Sequence, residues 1–174
     1  IMSEALRVLI VEDDPHVLLG CQQALTLEDI PVTGVASAEA ALPLIDGQFP
    51  GIVISDIRLP GIDGLELLTR LKALDKSLPV VLITGHGDIS MAVGAMRNGA
   101  YDFMEKPFSP ERLVDVARRA LEQRGLAREV GPLGITVNAV APGWIATGSQ
   151  TAREAAAGAR TPVGRSGTPA EVAP

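Results

Sequence analysis

Apolar runs and amphipathic segments alternate along the first 126 residues of the chain. Five short apolar runs are typical of strands that are buried on both faces of a parallel sheet. The runs cover Leu6–Val11, Pro31–Val35, Gly51–Ser55, Pro79–Thr84 and Ala100–Met104. A segment that can form a helix follows each run. Five strand–helix units in succession predict an α/β fold, with a doubly wound parallel sheet, right-handed crossovers and the flavodoxin-like strand order 2-1-3-4-5.

Proline, serine and glycine mark where the predicted helices begin and end. Pro15 opens the first helix and Pro110 opens the fifth, at the position where a missing N–H costs little. Pro43 should kink or shorten the second helix. Gly99 follows the fourth helix as a favourable C-terminal cap. We expect the fifth helix to run to about Arg124.

Composition and charge narrow the possible functions. The 174 residues carry a net charge of −6, which argues against a nucleic-acid surface as the main role. Cys21 is the only cysteine, so an intrachain disulfide is impossible and a reducing cytoplasm is the simplest location. No apolar run approaches the ~18 residues of a membrane span, and the N-terminus does not resemble a secretory signal. We therefore expect a cytoplasmic protein with no membrane or direct nucleic-acid contact.

Polar and charged residues follow four of the predicted strands. Glu12 and Asp13 come after the first run, Asp56 after the third, Thr84 ends the fourth, and Lys106 comes after the fifth. Because ligands bind beyond the carboxyl ends of such strands, these side chains should meet at one edge of the sheet. The presence of polar and charged residues at four strand ends indicates a functional site.

The chemistry of these residues suits a divalent metal and a phosphoryl group. Mg²⁺ prefers oxygen ligands and usually retains waters. We expect Asp13 and Asp56 to bind it directly, Glu12 to act through water, and the backbone carbonyl of Arg58 to add a ligand at the turn. Phosphoryl transfer needs positioning and charge stabilisation more than covalent work. The hydroxyl of Thr84 and the ammonium of Lys106 can supply both.

Each residue also has an ordinary structural explanation when taken alone. Asp56 can be a turn or capping residue, and Asp13 with Asp14 can favour the first turn of a helix through its dipole. Lys106 can be an ordinary loop lysine. The joint arrangement on three strands favours the functional interpretation. His86, which lies between two glycines, is interpreted as a surface residue.

Residues 5–126 resemble the receiver domain of two-component response regulators. The resemblance rests on the pair Glu12-Asp13, the segment Ser55–Gly64, Thr84, and the run Lys106–Phe108. The segments Thr84–Ile89 and Gly99–Phe103 are most similar to receivers of the dicarboxylate-transport and nitrogen-regulation type. In those proteins the receiver controls a sigma-54-dependent ATPase with a DNA-binding end.

The resemblance implies that Asp56 accepts a phosphoryl group from a sensor histidine kinase and that Mg²⁺ is the cofactor. Such a domain assists its own phosphorylation and dephosphorylation but is not otherwise an enzyme. Thr84 would move towards the phosphoryl group, and Phe103 would be the rotating aromatic of the switch. A homodimer is expected through the face of helix 4, strand 5 and helix 5, or through the tail. A receiver-like domain that serves only association is an alternative.

The composition changes after Gly125. Residues 131–174 are rich in Gly, Pro, Ala and Thr and contain no Asp and no Lys. Gly134–Gly143 and Pro162–Ala173 resemble the late portion of short-chain dehydrogenases. The glycine-rich dinucleotide turn is absent, as is a Tyr-x-x-x-Lys pair, since Tyr101 is the only tyrosine. We expect no dehydrogenase activity; the alternative function is a non-catalytic fragment or partner of a short-chain oxidoreductase.

These observations predict a receiver domain at 1–126, a linker at 127–134 and a dehydrogenase-like tail at 135–174 that is not an independent domain. Ile135–Ala141 is apolar and rich in β-branched residues. An exposed edge at the fifth strand invites pairing. This segment can add a sixth parallel strand in its own chain or in a partner, or the tail can remain unpaired.

Overall fold

The computed structural model describes residues 4–134. Its strands are β1 (Arg7–Val11), β2 (Val32–Val35), β3 (Gly51–Asp56), β4 (Val80–Thr84) and β5 (Asp102–Glu105). Its helices are α1 (Pro15–Leu27), α2 (Ala38–Ala41), α3 (Gly64–Leu74), α4 (Ile89–Arg97) and α5 (Pro110–Val130). All neighbouring strands pair in parallel, in the order β2-β1-β3-β4-β5. The predicted α/β fold and strand order are confirmed.

Alternate residues of the strands feed two apolar cores, one on each face of the sheet. Leu9 and Val11 of β1 face the core formed with α2, α3 and α4, whereas Val8 and Ile10 face the core formed with α1 and α5. This follows from the two-residue period of a strand. Every residue of β3 is buried, because β3 lies in the middle of the sheet and helices cover both faces.

The helix starts agree with the sequence signals. Pro15 and Pro110 occupy the first turns of α1 and α5. The second helix is short, and a 3₁₀ turn at Leu42–Leu44 that contains Pro43 follows it. Gly99 has a φ of +98°, which favours glycine. The Ala100 N–H donates to Ala95 O, so residues 99 and 100 still belong to the end of α4. For this reason β5 begins at Asp102, two residues later than expected.

The fifth helix ends at Val130, not near Arg124, so residues 127–130 of the expected linker are helical. Gly125 lies within the helix, although glycine in a helix interior costs about 1 kcal/mol. Two arginines outweigh that cost. Arg124 is 2% exposed and donates to Phe49 O at 2.6 Å and to Asp75 Oδ2 at 2.7 Å, and Arg128 donates to Gln48 O at 2.5 Å.

The predicted sixth strand, Ile135–Ala141, and the whole tail at 135–174 lie outside the described residues. Within residues 4–134, no helix is long and apolar enough to cross a membrane. The division into receiver, linker and tail stays a prediction.

We predict that Arg124→Ala lowers the free energy of unfolding by about 3 kcal/mol, because it removes the guanidinium that pairs with the partly buried carboxylate of Asp75 and donates to Phe49 O. Urea unfolding measures the loss. Arg118→Ala is the matched control, since Arg118 is 57% exposed in its pair with Glu28 and should cost less than about 1 kcal/mol. Equal effects of the two substitutions would contradict the anchoring role of Arg124.

The pKa of Asp75 makes the free energy of unfolding depend on pH. Burial alone would raise this pKa, but hydrogen bonds from Ser77 and Arg124 outweigh burial and hold it below its usual 3.8. The folded-state pKa is therefore depressed, so the stabilisation is present above the unfolded pKa and is lost as the pH falls through the folded pKa. We expect Asp75→Asn to lose less stability than the wild type between pH 7 and pH values below 3.8 in urea unfolding. Parallel losses would rule out this contribution.

Candidate functional site

The predicted site residues meet at the carboxyl end of the sheet. Glu12 and Asp13 directly follow β1, and Asp56 is the last residue of β3. Thr84 ends β4, and Lys106 directly follows β5. Parallel strands place these positions at one edge, because their carboxyl ends all point the same way.

Three carboxylates form a compact acidic cluster. Glu12, Asp13 and Asp56 each offer one oxygen, and these oxygens all lie within 4.8 Å of one another. Glu12 is 1% exposed and Asp56 is 6% exposed, whereas Asp13 faces solvent. The cluster is therefore open on one side, where a hydrated cation can enter.

Lys106 partly neutralises the cluster. Its Nζ lies 2.5 Å from Asp56 Oδ2 and 3.0 Å from Glu12 Oε2. Burial alone would lower the pKa of Lys106, but its hydrogen bond to Asp56 and its close contact with the charge of Glu12 outweigh burial and raise it. Lys106 therefore stays a cation, and a single positive charge faces three carboxylates.

The remaining negative charge and one buried oxygen fit a divalent cation. Burial raises the pKa of Glu12, with the charge of Asp56 adding to the effect, and these outweigh its contacts to the Asp14 N–H and Lys106. Glu12 Oε1 accepts the Asp14 N–H at 3.0 Å. Its Oε2 is close to Lys106, but the angle does not suit a hydrogen bond, so this oxygen has no hydrogen-bond partner within the described residues. Such a donor set of hard oxygens is consistent with Mg²⁺.

The loop after β3 wraps around the carboxylate of Asp56. The backbone N–H of Arg58 donates to Asp56 Oδ1 at 2.8 Å. Asp56 therefore has a fixed orientation, with Arg58 N–H on one oxygen and Lys106 on the other. The backbone N–H of Arg58 lies at the site, and the role of its carbonyl as a metal ligand stays a prediction.

The two residues expected to switch lie on adjacent strands. Thr84 is fully buried, and its hydroxyl donates to Met104 O of β5 at 3.3 Å. Phe103 is half-buried on β5 and packs against the core on the α3 and α4 side. His86 is 98% exposed in the loop after β4, with Nδ1 3.2 Å from Glu105 Oε1.

Sequence reasoning missed one ion pair next to the site. The guanidinium of Arg58 binds both carboxylate oxygens of Asp88, at the start of α4, with Nη2 2.6 Å from Oδ1 and Nε 3.0 Å from Oδ2. The pair links residues 30 positions apart, so no local pattern reveals it. The only sequence signal was that Asp88 stands at a helix start.

Comparison with known proteins agrees with this geometry. Residues 8–118 match the family model described as Response regulator receiver domain. A second model, described as Enoyl-(Acyl carrier protein) reductase, matches residues 87–174, as expected from the resemblance of the tail to short-chain oxidoreductases. The two matches overlap at 87–118, where the structure has α4, β5 and the first part of α5.

Individual relatives are regulators of the expected type. The chain is 52% identical to the C4-dicarboxylate transport transcriptional regulatory protein DctD of Rhizobium meliloti, over 74% of this chain and 28% of that protein. It is 43% identical to the nitrogen assimilation regulatory protein NtrX of Azorhizobium caulinodans, over 72% of this chain and 28% of that protein. The chain thus spans little more than a quarter of the length of these relatives.

A solved structure provides the same comparison in three dimensions. The receiver domain of NtrX from Brucella abortus is 44% identical and superimposes with a TM-score of 0.63, over 66% of this chain and 98% of that domain. The family match, the relatives and the fold agree, and the chain belongs to the response regulator receiver family of two-component signalling proteins.

Proposed function

We propose that this protein accepts a phosphoryl group from a sensor histidine kinase onto Asp56 and thereby switches a binding surface. The observation that carries the proposal is the Asp56 carboxylate, held by Lys106 and Arg58 N–H beside two further acids. A buried carboxylate that has other negative charges around it does not stabilise a fold, so a functional role explains the arrangement better than a structural one. Membership of the receiver family supports the same conclusion.

In the transfer step, an oxygen of Asp56 forms a bond to phosphorus while the P–N bond of the donor phosphohistidine breaks. The electron pair of that bond leaves with the imidazole nitrogen. Glu12, Asp13, Asp56 and the carbonyl of Arg58 are the groups that would hold Mg²⁺, which neutralises charge on the transferred group when bound. Lys106 remains paired with Asp56 and follows the new phosphoryl charge.

Thr84 and Phe103 are the proposed switch residues. The hydroxyl of Thr84 has only a long bond to Met104 O, so a phosphoryl oxygen can replace that partner at low cost. Movement of Thr84 leaves space that the half-buried ring of Phe103 can fill. The changed surface is the face of α4, β5 and α5, through which we propose homodimerisation. α4 exposes Ile89, Val93 and Met96 on this side, at 42%, 46% and 37%.

We also propose that the receiver domain acts in the cytoplasm, where histidine kinases present their phosphoryl donors. The two curated relatives named above are transcriptional regulatory proteins. A parent regulator with a separate output domain therefore suits this receiver, which contacts no nucleic acid itself.

A second candidate function concerns the tail. The family match over residues 87–174 supports a fragment or partner of a short-chain oxidoreductase. We propose that the tail is not an independent domain and does not bind a nicotinamide, because the chain lacks the glycine-rich turn and the Tyr-x-x-x-Lys pair. Fluorescence titration with NADH and NADPH tests this, and saturable binding would favour the oxidoreductase alternative.

Asp56→Asn should abolish covalent phosphorylation. After incubation with acetyl phosphate and Mg²⁺, intact mass spectrometry should show one phosphoryl increment on the wild type and none on the variant. Asp63→Asn is the matched control, since Asp63 is an exposed capping residue of α3 and should retain the increment. An increment of equal size and rate on Asp56→Asn would move the acceptor elsewhere.

Mg²⁺ should raise the melting temperature of the wild type, because it binds the folded cluster and not the unfolded chain. At about 100 times its Kd, a ligand of this kind adds about 2.7 kcal/mol of stability. Asp13→Asn should remove most of the shift, since Asp13 is the exposed ligand whose loss leaves the core intact. Asp115→Asn on the exposed side of α5 is the control. A full Mg²⁺ shift in Asp13→Asn would place the ion outside the cluster.

A further inference from the structure

One ion pair joins the loop that follows the phospho-acceptor to the residue that precedes α4. Arg58 binds Asp88 with two nitrogens, and the carboxylate of Asp88 is 1% exposed although the arginine side chain is 72% exposed. A buried carboxylate is thus neutralised by a guanidinium that is otherwise free to move in solvent. Asp88 Oδ2 also accepts the N–H of Gly85 at 3.3 Å.

Among the five helices of residues 4–134, α4 differs in how it begins. Four helices start with a side-chain cap from a residue in extended conformation: Asp14, Ser37, Asp63 and Ser109. Asp88 stands at the equivalent position of α4 with φ −97° and ψ 11°, and its side chain makes no capping bond. Aspartate is among the best capping residues. Its carboxylate is absent from the cap because Arg58 and Gly85 hold it.

Both groups that hold Asp88 lie next to Asp56 or Thr84. The N–H of Arg58 binds Asp56 Oδ1, and the charge of Asp56 contributes to raising the pKa of the Arg58 guanidinium, after the larger effects of Asp88. Gly85 directly follows Thr84, the residue proposed to bind a phosphoryl oxygen. New negative charge on Asp56 therefore competes with Asp88 for the guanidinium, and movement of Thr84 displaces the neighbouring Gly85 N–H.

We propose that Arg58 is a positioning residue that holds Asp88 away from the N-terminus of α4 until Asp56 is phosphorylated. This inference rests on the proposed function. Once released, the carboxylate of Asp88 loses its two hydrogen bonds to the guanidinium and takes up other hydrogen-bond donors in their place. The nearest free donors are the N–H groups of Ser90 and Met91 in the first turn of α4, and the helix dipole favours an anion there. Phosphorylation thus creates a helix cap.

The consequence is a change in the first turn of the helix that bears Ile89 and Val93. Capping requires Asp88 to rotate into the extended conformation seen at the other four caps, which moves the start of α4 relative to Gly85. Phosphorylation of Asp56 then changes the positions of the exposed apolar side chains of α4, because Asp88 and these residues belong to one continuous stretch of backbone. The proposed dimerisation face is coupled to the site in this way.

Amide hydrogen exchange of Ser90 and Met91, measured by NMR, tests the proposal. Beryllofluoride with Mg²⁺ serves as the phosphoryl probe. We expect exchange at these two amides to slow about fivefold in the wild type, the factor that corresponds to about 1 kcal/mol for one capping interaction. The chemical shifts of the Gly85 and Lys106 amides report separately whether beryllofluoride binds at Asp56.

Four substitutions test whether Arg58 holds Asp88 away from the N-terminus of α4 or has only a structural role. Arg58→Met removes the charge and should slow exchange at Ser90 and Met91 without beryllofluoride, because Asp88 is released. Arg58→Lys retains a cation that reaches Asp88 and should restore wild-type exchange. Asp88→Asn should cap α4 in both states, since asparagine caps well but does not bind an arginine strongly. Asp88→Ala is the control that cannot cap, and its exchange should stay fast with and without beryllofluoride.

The outcomes for this inference and for the proposed function are distinct. If the Gly85 and Lys106 amides shift with beryllofluoride but exchange at Ser90 and Met91 is unchanged, the proposed role of Arg58 is wrong. The phospho-acceptor proposal then stands. If no amide of the site shifts, the phospho-acceptor proposal is wrong. In that case the ligand-free comparison decides: slower exchange in Arg58→Met, reversed in Arg58→Lys, supports the hold on Asp88, and equal exchange in both overturns it.

Discussion

The contact between the Lys106 ammonium and two carboxylates, Asp56 and Glu12, is the interaction on which the site depends. Without a cation at this position, two buried acids would face each other at the carboxyl end of the sheet, and their buried negative charge would be uncompensated, which is strongly unfavourable. Lys106 places a positive charge 2.5 Å from Asp56 Oδ2 and 3.0 Å from Glu12 Oε2. It also leaves the cluster short of positive charge, so the same geometry that stabilises the fold favours binding of a metal.

The sheet makes this arrangement possible. Each contributing residue follows or ends a strand, and β1, β3 and β4 are almost entirely buried, so the ends of these three strands are held by the cores on both faces. The contact of Lys106 with Asp56 therefore connects β5 to β3 across β4. Thr84, at the end of β4, lies between them and has only a long hydrogen bond of its own. The Thr84 hydroxyl, with its single long hydrogen bond, therefore lies among strand ends that are held by many contacts.

Much of this could be read from the sequence, because the signals are local. The strands show as apolar runs, and the strand order follows from five strand–helix repeats. The site residues are found because strand ends converge in such sheets. The features that were missed depend on contacts between distant residues. The end of α5 lies beyond the expected Arg124, because the bonds that support its last turns join Arg124 to Phe49 and Asp75, which are far from it in the sequence. The pair of Arg58 and Asp88 was missed for the same reason.

The arginine anchors of α5 also bear on how such chains are joined in evolution. Arg124 and Arg128 bond to the turns before β3 and β4, so the helix is part of the receiver up to its last turn. A recombination junction upstream of Arg124 would remove both guanidinium groups from the carbonyls and carboxylate that they satisfy, and one between Arg124 and Arg128 would remove the second. A junction after Val130 leaves every such contact intact, so a receiver can acquire a foreign continuation there without losing any part of its own fold.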